Sequence, residues 1–321
     1  MNERTVLRQE NIALGVVVIV LTVFAMSSAD AVIKYVSATF TLWQIYVLRS
    51  LVVLPLLGGI VLCAPQPTSV TSGAIGWSFL RGLMLAFMYV AIYAALPVLS
   101  LSTVAASLYT APLFIALLSP LLMGEAVGLR RWTAVAMGFL GVLVILRPGT
   151  DAFSLLALIP IAAALLYALA AIVTRSKCAT APPMLLALAL NLSLLVVGAL
   201  ASIVIAVWPP AMTGASLYPF LFGHWVALGL REYEIIAMLA LLMVGISLGL
   251  AKAYQAAPPT IIATFDYSYL LFSVFWSFVL FAEVPDGATI IGMLMIAGAG
   301  LLVIRSGKGP KPAFQAGSQE G

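Results

Sequence analysis

The side chains in this sequence that could do chemistry are a few charged residues inside long apolar stretches. Asp30, Arg49 and Asp266 each stand within an apolar run, and Tyr267 and Tyr269 follow Asp266 closely. A charge inside a bilayer costs about 2.5–3.5 kcal/mol on insertion scales, so each needs a partner or a function. An acid at this depth could bind a proton, a sodium ion or a substrate amine. A guanidinium could hold a carboxylate or a phosphate with two parallel hydrogen bonds.

Each of these charges also has a structural interpretation. Asp266 could make a structural hydrogen bond or ion pair, and for this residue the coupling and structural interpretations stay equally open. For Arg49 we prefer a pairing with Asp30 that would lock two neighbouring helices together. Asp30 and Lys34 are four residues apart on one helix face and could pair with each other, while Asp30 remains a candidate gate or ligand.

Aromatic side chains are the other candidates for a binding site. Each one alone is explained by packing or by a belt at the membrane interface. Together they would suit an amphipathic solute, or a cation held over an aromatic face. The aromatic residues that we select as substrate-binding candidates, beside the two that follow Asp266, are Tyr89, Tyr93, Tyr109, Tyr167 and Trp276.

The composition indicates that most of the chain is surrounded by lipid. Of 321 residues, 64% are hydrophobic and 8% are charged, whereas soluble domains average about 25% charged residues. The formal net charge of +4 is modest, and the charges lie at chain ends and short breaks, so we expect no nucleic-acid partner. One histidine, His224, and two cysteines, Cys63 and Cys178, show no metal or redox spacing, and we expect no cofactor.

Runs of about 20 apolar residues predict ten transmembrane helices, so the fold class is an all-α integral membrane protein. Basic residues concentrate in alternate loops, and the positive-inside rule then favours cytoplasmic N- and C-termini. Residues 208–233 form the longest break, and Tyr218, Phe220, Phe222 and Trp225 indicate a segment at the membrane interface. The ten predicted segments are 12–34, 41–63, 74–96, 101–123, 131–147, 153–173, 184–207, 234–255, 260–281 and 287–305.

The two halves of the sequence resemble each other. GFLGVLVILRPG at 138–149 matches IAGAGLLVIRSG at 296–307, and the pairs Glu125 and Glu283, Arg147 and Arg305, and Gly149 and Gly307 are each 158 residues apart. Five helices in each half would invert the second copy, and inverted repeats with a site near the midplane are typical of secondary transporters. The matched glutamates, at the repeat ends, suggest an architectural role such as capping or pairing across the halves.

This repeat predicts the domain organisation. A cytoplasmic N-terminus covers residues 1–11, a first repeat covers 12–149, and a second repeat covers 150–307. Residues 308–321 are polar and rich in glycine and proline, which predicts a disordered cytoplasmic tail.

The repeated block resembles the EamA type of the drug/metabolite transporter superfamily. The resemblance lies in AVIKYVSATFTLWQIYVLRS at 31–50, ASLYTAPLFIALLSPLLMGEAVGLRRW at 106–132 and GFLGVLVILRPG at 138–149, with a second copy from Ala256 to Gly307. It implies ten helices in two inverted five-helix repeats and a central cavity lined by segments 1, 3, 4, 6, 8 and 9. It also implies secondary transport, often proton-linked or by exchange, and often export.

The sequence departs from this pattern in segment 9. The first copy has Pro112 in segment 4, whereas the second reads DYSYLLF at 266–272, without proline. We therefore expect segment 9 to bend less than segment 4.

These observations predict a secondary transporter of the cell inner membrane for a small polar, zwitterionic or amphipathic metabolite, with protons or a counter-substrate as further partners. We expect a monomer or a homodimer. A multidrug or organic-cation exporter is the alternative within the transporter class. A membrane-embedded enzyme would need a catalytic cluster at membrane depth, and a sensor would be favoured by a large soluble domain, so the sequence favours neither.

Overall fold

The computed structural model describes residues 11–63, 72–123, 129–147, 155–178, 181–208, 218–256, 262 and 265–306. The secondary structure of this part of the chain is helical. The helices are α1 Ile12–Val36, α2 Leu42–Cys63, α3 Ser72–Ala95, α4 Leu101–Leu108, α5 Ala111–Met123, α6 Leu129–Leu146, α7 Leu158–Lys177 after a 3-10 turn at Leu155–Ala157, α8 Pro183–Val207, α9 Pro219–Phe222, α10 Leu230–Ala256, α11 Ser268–Phe281 and α12 Gly287–Ser306.

Seven spans among the described residues are long and apolar enough to cross a membrane, which confirms an all-helical, multi-pass protein. They lie in α1, α2, α3, α4 with the start of α5, the 3-10 turn with α7, α8, and α10. Three shorter apolar helices, Trp132–Leu146, Ser268–Phe281 and Gly287–Leu302, overlap the predicted segments 5, 9 and 10. The count of ten crossings, the inversion of the repeats and the side of the termini remain predictions.

The helices pair across the two halves of the sequence. Helix α1 packs along α10 and α11, and α3 packs along α7 and α8. Helix α2 packs against α8, and α6 packs against α12. Every one of these contacts joins the first half to the second, so the two halves enclose a shared centre.

A close helix crossing lies between α6 and α12, where two glycines face each other. A Cβ atom added to Gly292 would lie 2.6 Å from the Gly141 carbonyl oxygen, and one added to Gly141 would lie 2.9 Å from the Gly292 carbonyl oxygen. Small residues allow membrane helices to approach this closely and to gain van der Waals contact.

Two helical segments are interrupted near the centre of the molecule. Helix α4 ends at Leu108 and α5 begins at Ala111, and Tyr109 and Thr110 form the turn between them. Residues 265 and 266 are helical, Tyr267 is a turn, and α11 begins at Ser268. Both segments are therefore interrupted, although only segment 4 contains a proline, and the expectation that segment 9 bends less stays a prediction. Pro112 lies in the first turn of α5, where its missing N–H disrupts no helical hydrogen bond.

The segment that precedes α10 lies over the start of α2. The Trp43 indole N–H donates to the Leu221 carbonyl at 2.7 Å. The Gln44 side chain donates to the Val226 carbonyl at 2.8 Å and accepts from the Val226 N–H at 3.2 Å. Phe220 is buried. These contacts hold the aromatic segment against one end of the bundle.

Candidate functional site

Asp30 is a partly buried acid on α1 that receives hydrogen bonds from two other helices. The Tyr93 hydroxyl on α3 donates to Asp30 Oδ1 at 3.0 Å, and the Tyr269 hydroxyl on α11 donates to Asp30 Oδ2 at 2.5 Å. Both carboxylate oxygens therefore have a phenol donor, which stabilises a charge in the apolar interior.

Asp266 has a similar environment beside the interruption before α11. The Tyr109 hydroxyl donates to the Asp266 backbone carbonyl at 3.0 Å and to its Oδ2 atom at 3.3 Å. Tyr109 stands at the break between α4 and α5, and its ring stacks on Tyr269 at 5.3 Å between centroids. Tyr109 and Tyr269 thus connect the surroundings of the two acids.

A second group of tyrosines extends from Asp30 toward α2. The rings of Tyr89 and Tyr93 stack at 5.6 Å between centroids, and Tyr93 meets the Tyr46 ring edge-on at 6.2 Å. Tyr46 is fully buried. Sequence reasoning does not select Tyr46, although its position three residues before Arg49 places both on one face of a helix.

Arg49 is buried on α2, with 3% of its surface exposed. Its guanidinium carbon lies 5.7 Å from the centroid of the Tyr46 ring. The preferred pairing with Asp30 is wrong, because among the described residues no ion pair joins the two, and Asp30 is held by tyrosines instead.

Lys34 forms a partly buried ion pair beside this site, with a partner that is distant in sequence. Its Nζ atom lies 2.6 Å from Glu283 Oε1, donates to the Leu99 carbonyl at 2.9 Å, and lies 4.6 Å from the centroid of the Phe281 ring. The expected pairing of Lys34 with Asp30 is therefore wrong. Lys34 is one helical turn, about 6 Å, further along α1 than Asp30, so the ion pair closes the end of the bundle nearest to that acid.

Glu283 reaches this position because α11 ends in a left-handed turn. Ala282 has φ 52°, its N–H donates to the Phe278 carbonyl, and the Glu283 N–H donates to the Ser277 carbonyl. The left-handed Ala282, with its bond to a carbonyl four residues earlier, is the arrangement of an αL C-cap, and it redirects the chain at the end of α11. The Ser277 hydroxyl then donates to Glu283 Oε2 at 2.9 Å. The expected pairing of Glu283 across the halves agrees with its contact to Lys34; Glu125 lies outside the described residues.

Tyr267 is buried against α12. Its ring lies 5.2 Å from the Tyr109 ring between centroids. A Cβ atom added to Gly300 would lie 1.4 Å from the Tyr267 hydroxyl oxygen, so only glycine leaves room for this side chain. The structure thus places Tyr267 beside Asp266 and Tyr109, with its hydroxyl enclosed by α12.

Two sequence candidates stand apart from this cluster. Tyr167 on α7 is 43% exposed, and no hydrogen bond or ring contact joins it to the acids among the described residues. Trp276 on α11 packs against Phe24 and Phe275, at 5.8 and 5.2 Å between centroids. Tyr167 nevertheless interacts electrostatically with Asp266, and the buried Trp276 indole N–H has no hydrogen-bond partner among the described residues.

Outside this cluster, an apolar groove of about 520 Å³ lies between α1 and α10. None of the predicted site residues lines it.

Near the start of α12, the side chain and backbone of Thr289 donate hydrogen bonds that hold the pKa of Asp286 below its usual range. Asp286 also pairs with Arg147 at the surface. The described residues contain no group of three or more side chains that could hold a metal ion.

An apolar helical bundle with acids and tyrosines enclosed between its helices defines the class as a multi-pass membrane protein with a candidate functional site in its interior. Residues 13–147 match the model of the EamA-like transporter family, so the first half of this chain is similar to that family. The family and the relatives described next are named as transporters, not as enzymes. Together with the apolar spans, these names are consistent with a multi-pass protein of the inner membrane.

The names of three similar proteins state three different substrates. A riboflavin transporter of Rhizobium johnstonii is 29% identical over 61% of this chain and 59% of its own length. An S-adenosylmethionine uptake transporter of Rickettsia prowazekii is 26% identical over 71% of each chain. A pseudopaline exporter of Pseudomonas aeruginosa is 24% identical over 92% of this chain and 97% of its own length.

The alignment thus spans about three fifths of the riboflavin transporter. One solved crystal structure matches with a TM-score of 0.56 at 18% identity, covering 91% of this chain and 95% of that one. This likeness concerns the fold.

Proposed function

We propose that this protein is a secondary active transporter that moves a small polar, zwitterionic or amphipathic metabolite across the inner membrane by alternating access. The proposed substrate is amino-acid-like or carries an amine. Relatives that transport riboflavin, S-adenosylmethionine or pseudopaline support a small metabolite as the substrate.

The proposal depends on one observation: in each half of the chain, a tyrosine donates a hydrogen bond to an aspartate of the other half. Asp30 belongs to the first half and accepts from Tyr269 of the second. Asp266 belongs to the second half and accepts from Tyr109 of the first. A relative movement of the halves would break these hydrogen bonds. A solute that replaces the phenol donors can therefore couple its own binding to that movement.

We assign the coupling role to Asp266. A carboxyl group with one phenol donor in an apolar interior can exchange a proton between two conformations that differ in its hydrogen bonding. Asp30, with both oxygens occupied by phenols, is better suited to bind a substrate amine. Tyr89, Tyr93, Tyr109, Tyr267 and Tyr269 then form the aromatic wall of the site, and Tyr167 and Trp276 are its outer members.

The topology that this mechanism requires is ten crossings in two inverted repeats, with both termini in the cytoplasm. The pairing of the helices supports it. Segments 1 and 6 are repeat partners, as are 3 and 8, and the contact of α1 with α10 has its counterpart in the contact of α3 with α7. A two-fold relation between the halves would produce such matched pairs.

The experiment is a flux measurement with the purified full chain in liposomes. A thermal-shift screen against amino acids, osmolytes, vitamins and nucleosides first selects a labelled solute, because a bound ligand raises the apparent melting temperature. An imposed pH gradient should then drive accumulation of that solute by wild type. The D266N variant should lose this gradient-driven accumulation and keep solute exchange across the membrane.

The matched control is D286N, which removes an acid that lies at the surface beside Arg147. It should accumulate the solute as wild type does. Equal accumulation by D266N and wild type would contradict the coupling role. A screen and a flux assay in which no solute of these classes binds or moves would contradict the proposed substrate class.

An organic-cation exporter is the second candidate, and the aromatic surroundings of Asp30 favour it. Two stacked tyrosine pairs, Tyr89 with Tyr93 and Tyr109 with Tyr269, stand on either side of its carboxylate hydrogen bonds. Lipophilic cations such as tetraphenylphosphonium would then compete with the screened solute in wild type but not in D30N. If lipophilic cations do not compete with the screened solute in wild type, the organic-cation exporter is excluded.

A further inference from the structure

Arg49 is a buried cation that forms no ion pair with any described residue. Its Nε and Nη2 atoms are enclosed and have no hydrogen-bond partner among them. A buried charge without a partner is one of the most costly arrangements in a protein, and it persists where something else neutralises it. Arg49 therefore requires an acceptor from outside the described chain.

Two further donors lie beside it on the same helix face. Tyr46 and Ser50 stand three residues before and one residue after Arg49, so the three positions follow the i, i+3, i+4 spacing of one face of α2. Both residues are fully buried, and neither hydroxyl has a hydrogen-bond partner among the described residues. Four donor atoms, two of them on a guanidinium, therefore share one buried patch without an acceptor.

This patch is connected to the acid of the proposed transport site. The Tyr46 ring meets the Tyr93 ring at 6.2 Å between centroids, and the Tyr93 hydroxyl donates to Asp30. Arg49 also interacts electrostatically with Asp30 without forming an ion pair with it. One negative and one positive side chain thus stand at two ends of a row of aromatic rings.

We propose that Tyr46, Arg49 and Ser50 bind the carboxylate of the transported solute, whose cationic group binds at Asp30. The inference rests on the proposed function and narrows its substrate class to a zwitterion with both groups. Asp30 and Arg49 together are neutral, so a zwitterion leaves the loaded site neutral, whereas a phosphate dianion would leave excess negative charge in the membrane interior. The planar guanidinium suits a carboxylate because two N–H groups can donate in parallel.

The test compares matched pairs of probes that differ only in the carboxylate. The probes are L-phenylalanine with phenethylamine, L-methionine with 3-(methylthio)propylamine, and S-adenosylmethionine with its decarboxylated form. Thermal shift of the purified full chain gives the affinity of each probe. For at least one pair, wild type should bind the carboxylate-bearing member about tenfold to a hundredfold more tightly, as expected for hydrogen bonds to a charged group.

The R49Q variant should lower this preference for the carboxylate-bearing probe to about twofold or less. R49K should retain part of the preference, because lysine keeps the positive charge but lacks the planar guanidinium with its parallel N–H donors. R147Q is the matched control, since it removes an arginine at the surface pair with Asp286, and its preference should equal that of wild type. Because no described residue partners the Arg49 Nε and Nη2 atoms, R49Q should melt within a few degrees of wild type without ligand.

The opposing outcomes separate this inference from the proposed function. A carboxylate preference that survives in R49Q, or a wild type that binds none of the carboxylate-bearing probes, overturns the inference. If wild type still accumulates another solute under a pH gradient and D266N does not, the transport function stands without it. If R49Q alone melts far below wild type and the D30N substitution restores the melting temperature, Arg49 serves as a counter-ion to Asp30, and the inference is wrong.

Discussion

The rings of Tyr109 and Tyr267 contact each other at 5.2 Å between centroids, and each tyrosine stands at the interruption of a helical segment. They are also 158 residues apart, the same separation as the matched glutamates and arginines of the internal repeat. Matched positions of the two halves of the sequence are therefore in contact with each other. This is expected on the axis of a two-fold relation, where each residue lies opposite its own counterpart.

Gly300 is the position at which this contact is most sensitive to substitution. The G300A variant should lower the free energy of unfolding by about 1–3 kcal/mol, because the added methyl group would overlap the Tyr267 hydroxyl. The measurement is the melting temperature of the detergent-purified protein. In a Y267A background, which is itself destabilised by the loss of the buried ring, G300A should cost little further, since the obstructing side chain is then absent.

The control for this substitution is G245A, because a Cβ atom at Gly245 meets nothing within 4 Å. It should melt at or slightly above the wild-type temperature, since alanine favours the helix over glycine. If the G300A and Y267A effects simply add, the two positions are not coupled and the packing argument fails.

The Lys34–Glu283 ion pair should contribute measurably to stability. The side chains of Lys34 and Glu283 are 8% and 33% exposed, so we expect K34Q or E283Q to cost about 1–2 kcal/mol, less than for a fully buried pair. The double variant should cost less than the sum of the two. A double-mutant cycle on melting temperatures gives the coupling between them.

The Arg147–Asp286 pair provides the comparison, because its side chains are 36% and 52% exposed. Its own cycle should give a coupling of about 0–1 kcal/mol that falls with added salt. Equal coupling in the two cycles would mean that burial does not strengthen the Lys34–Glu283 contact.

Gln44 should hold the segment before α10 against α2 through the backbone of Val226. Gln44 is buried, and both ends of its amide are hydrogen-bonded to that residue. Q44L keeps the volume and removes both hydrogen bonds, so hydrogen exchange of residues 218–229 should accelerate about tenfold or more. Mass spectrometry of peptides from this segment measures the change.

Q44E is the matched variant, because its carboxylate can still accept from the Val226 N–H while it loses the donor to the carbonyl. Its exchange rate should fall between wild type and Q44L. Identical rates in all three proteins would show that other contacts, such as Trp43 with the Leu221 carbonyl, hold the segment alone.

The sequence was sufficient to predict the helices and the membrane, because apolar runs report directly on the solvent around a helix. It was not sufficient to predict which side chains meet. Tyr93 and Tyr269 are 63 and 239 residues from Asp30, and their contacts depend on how each helix is rotated about its axis. The fold brings the candidates Asp30, Asp266, Tyr93, Tyr109 and Tyr269 together, because polar side chains in lipid require partners. Their role in binding or coupling stays a prediction.

The incorrect Asp30–Lys34 pairing came from favouring residues that are close in sequence, and the incorrect Asp30–Arg49 pairing came from favouring helices that are neighbours in sequence. The i, i+4 rule joins Asp30 to Lys34 in an isolated helix, but Lys34 reaches Glu283 and the Leu99 carbonyl, which together offer more acceptors than one acid. No proline in the sequence at 266–272 predicts the helix interruption at Tyr267. Its sequence signal was the 158-residue separation from Tyr109, which becomes informative once one of the two breaks is known.

The Lys34–Glu283 contact also bears on how the protein responds to voltage. A membrane potential does work of about 2.3 kcal/mol per 100 mV on an elementary charge that crosses the whole field. The two charges are opposite and 2.6 Å apart, so the work on one nearly cancels the work on the other while they move together. Opening this end of the bundle with the pair intact would move almost no net charge, and its rate would change little between an energised and a de-energised membrane.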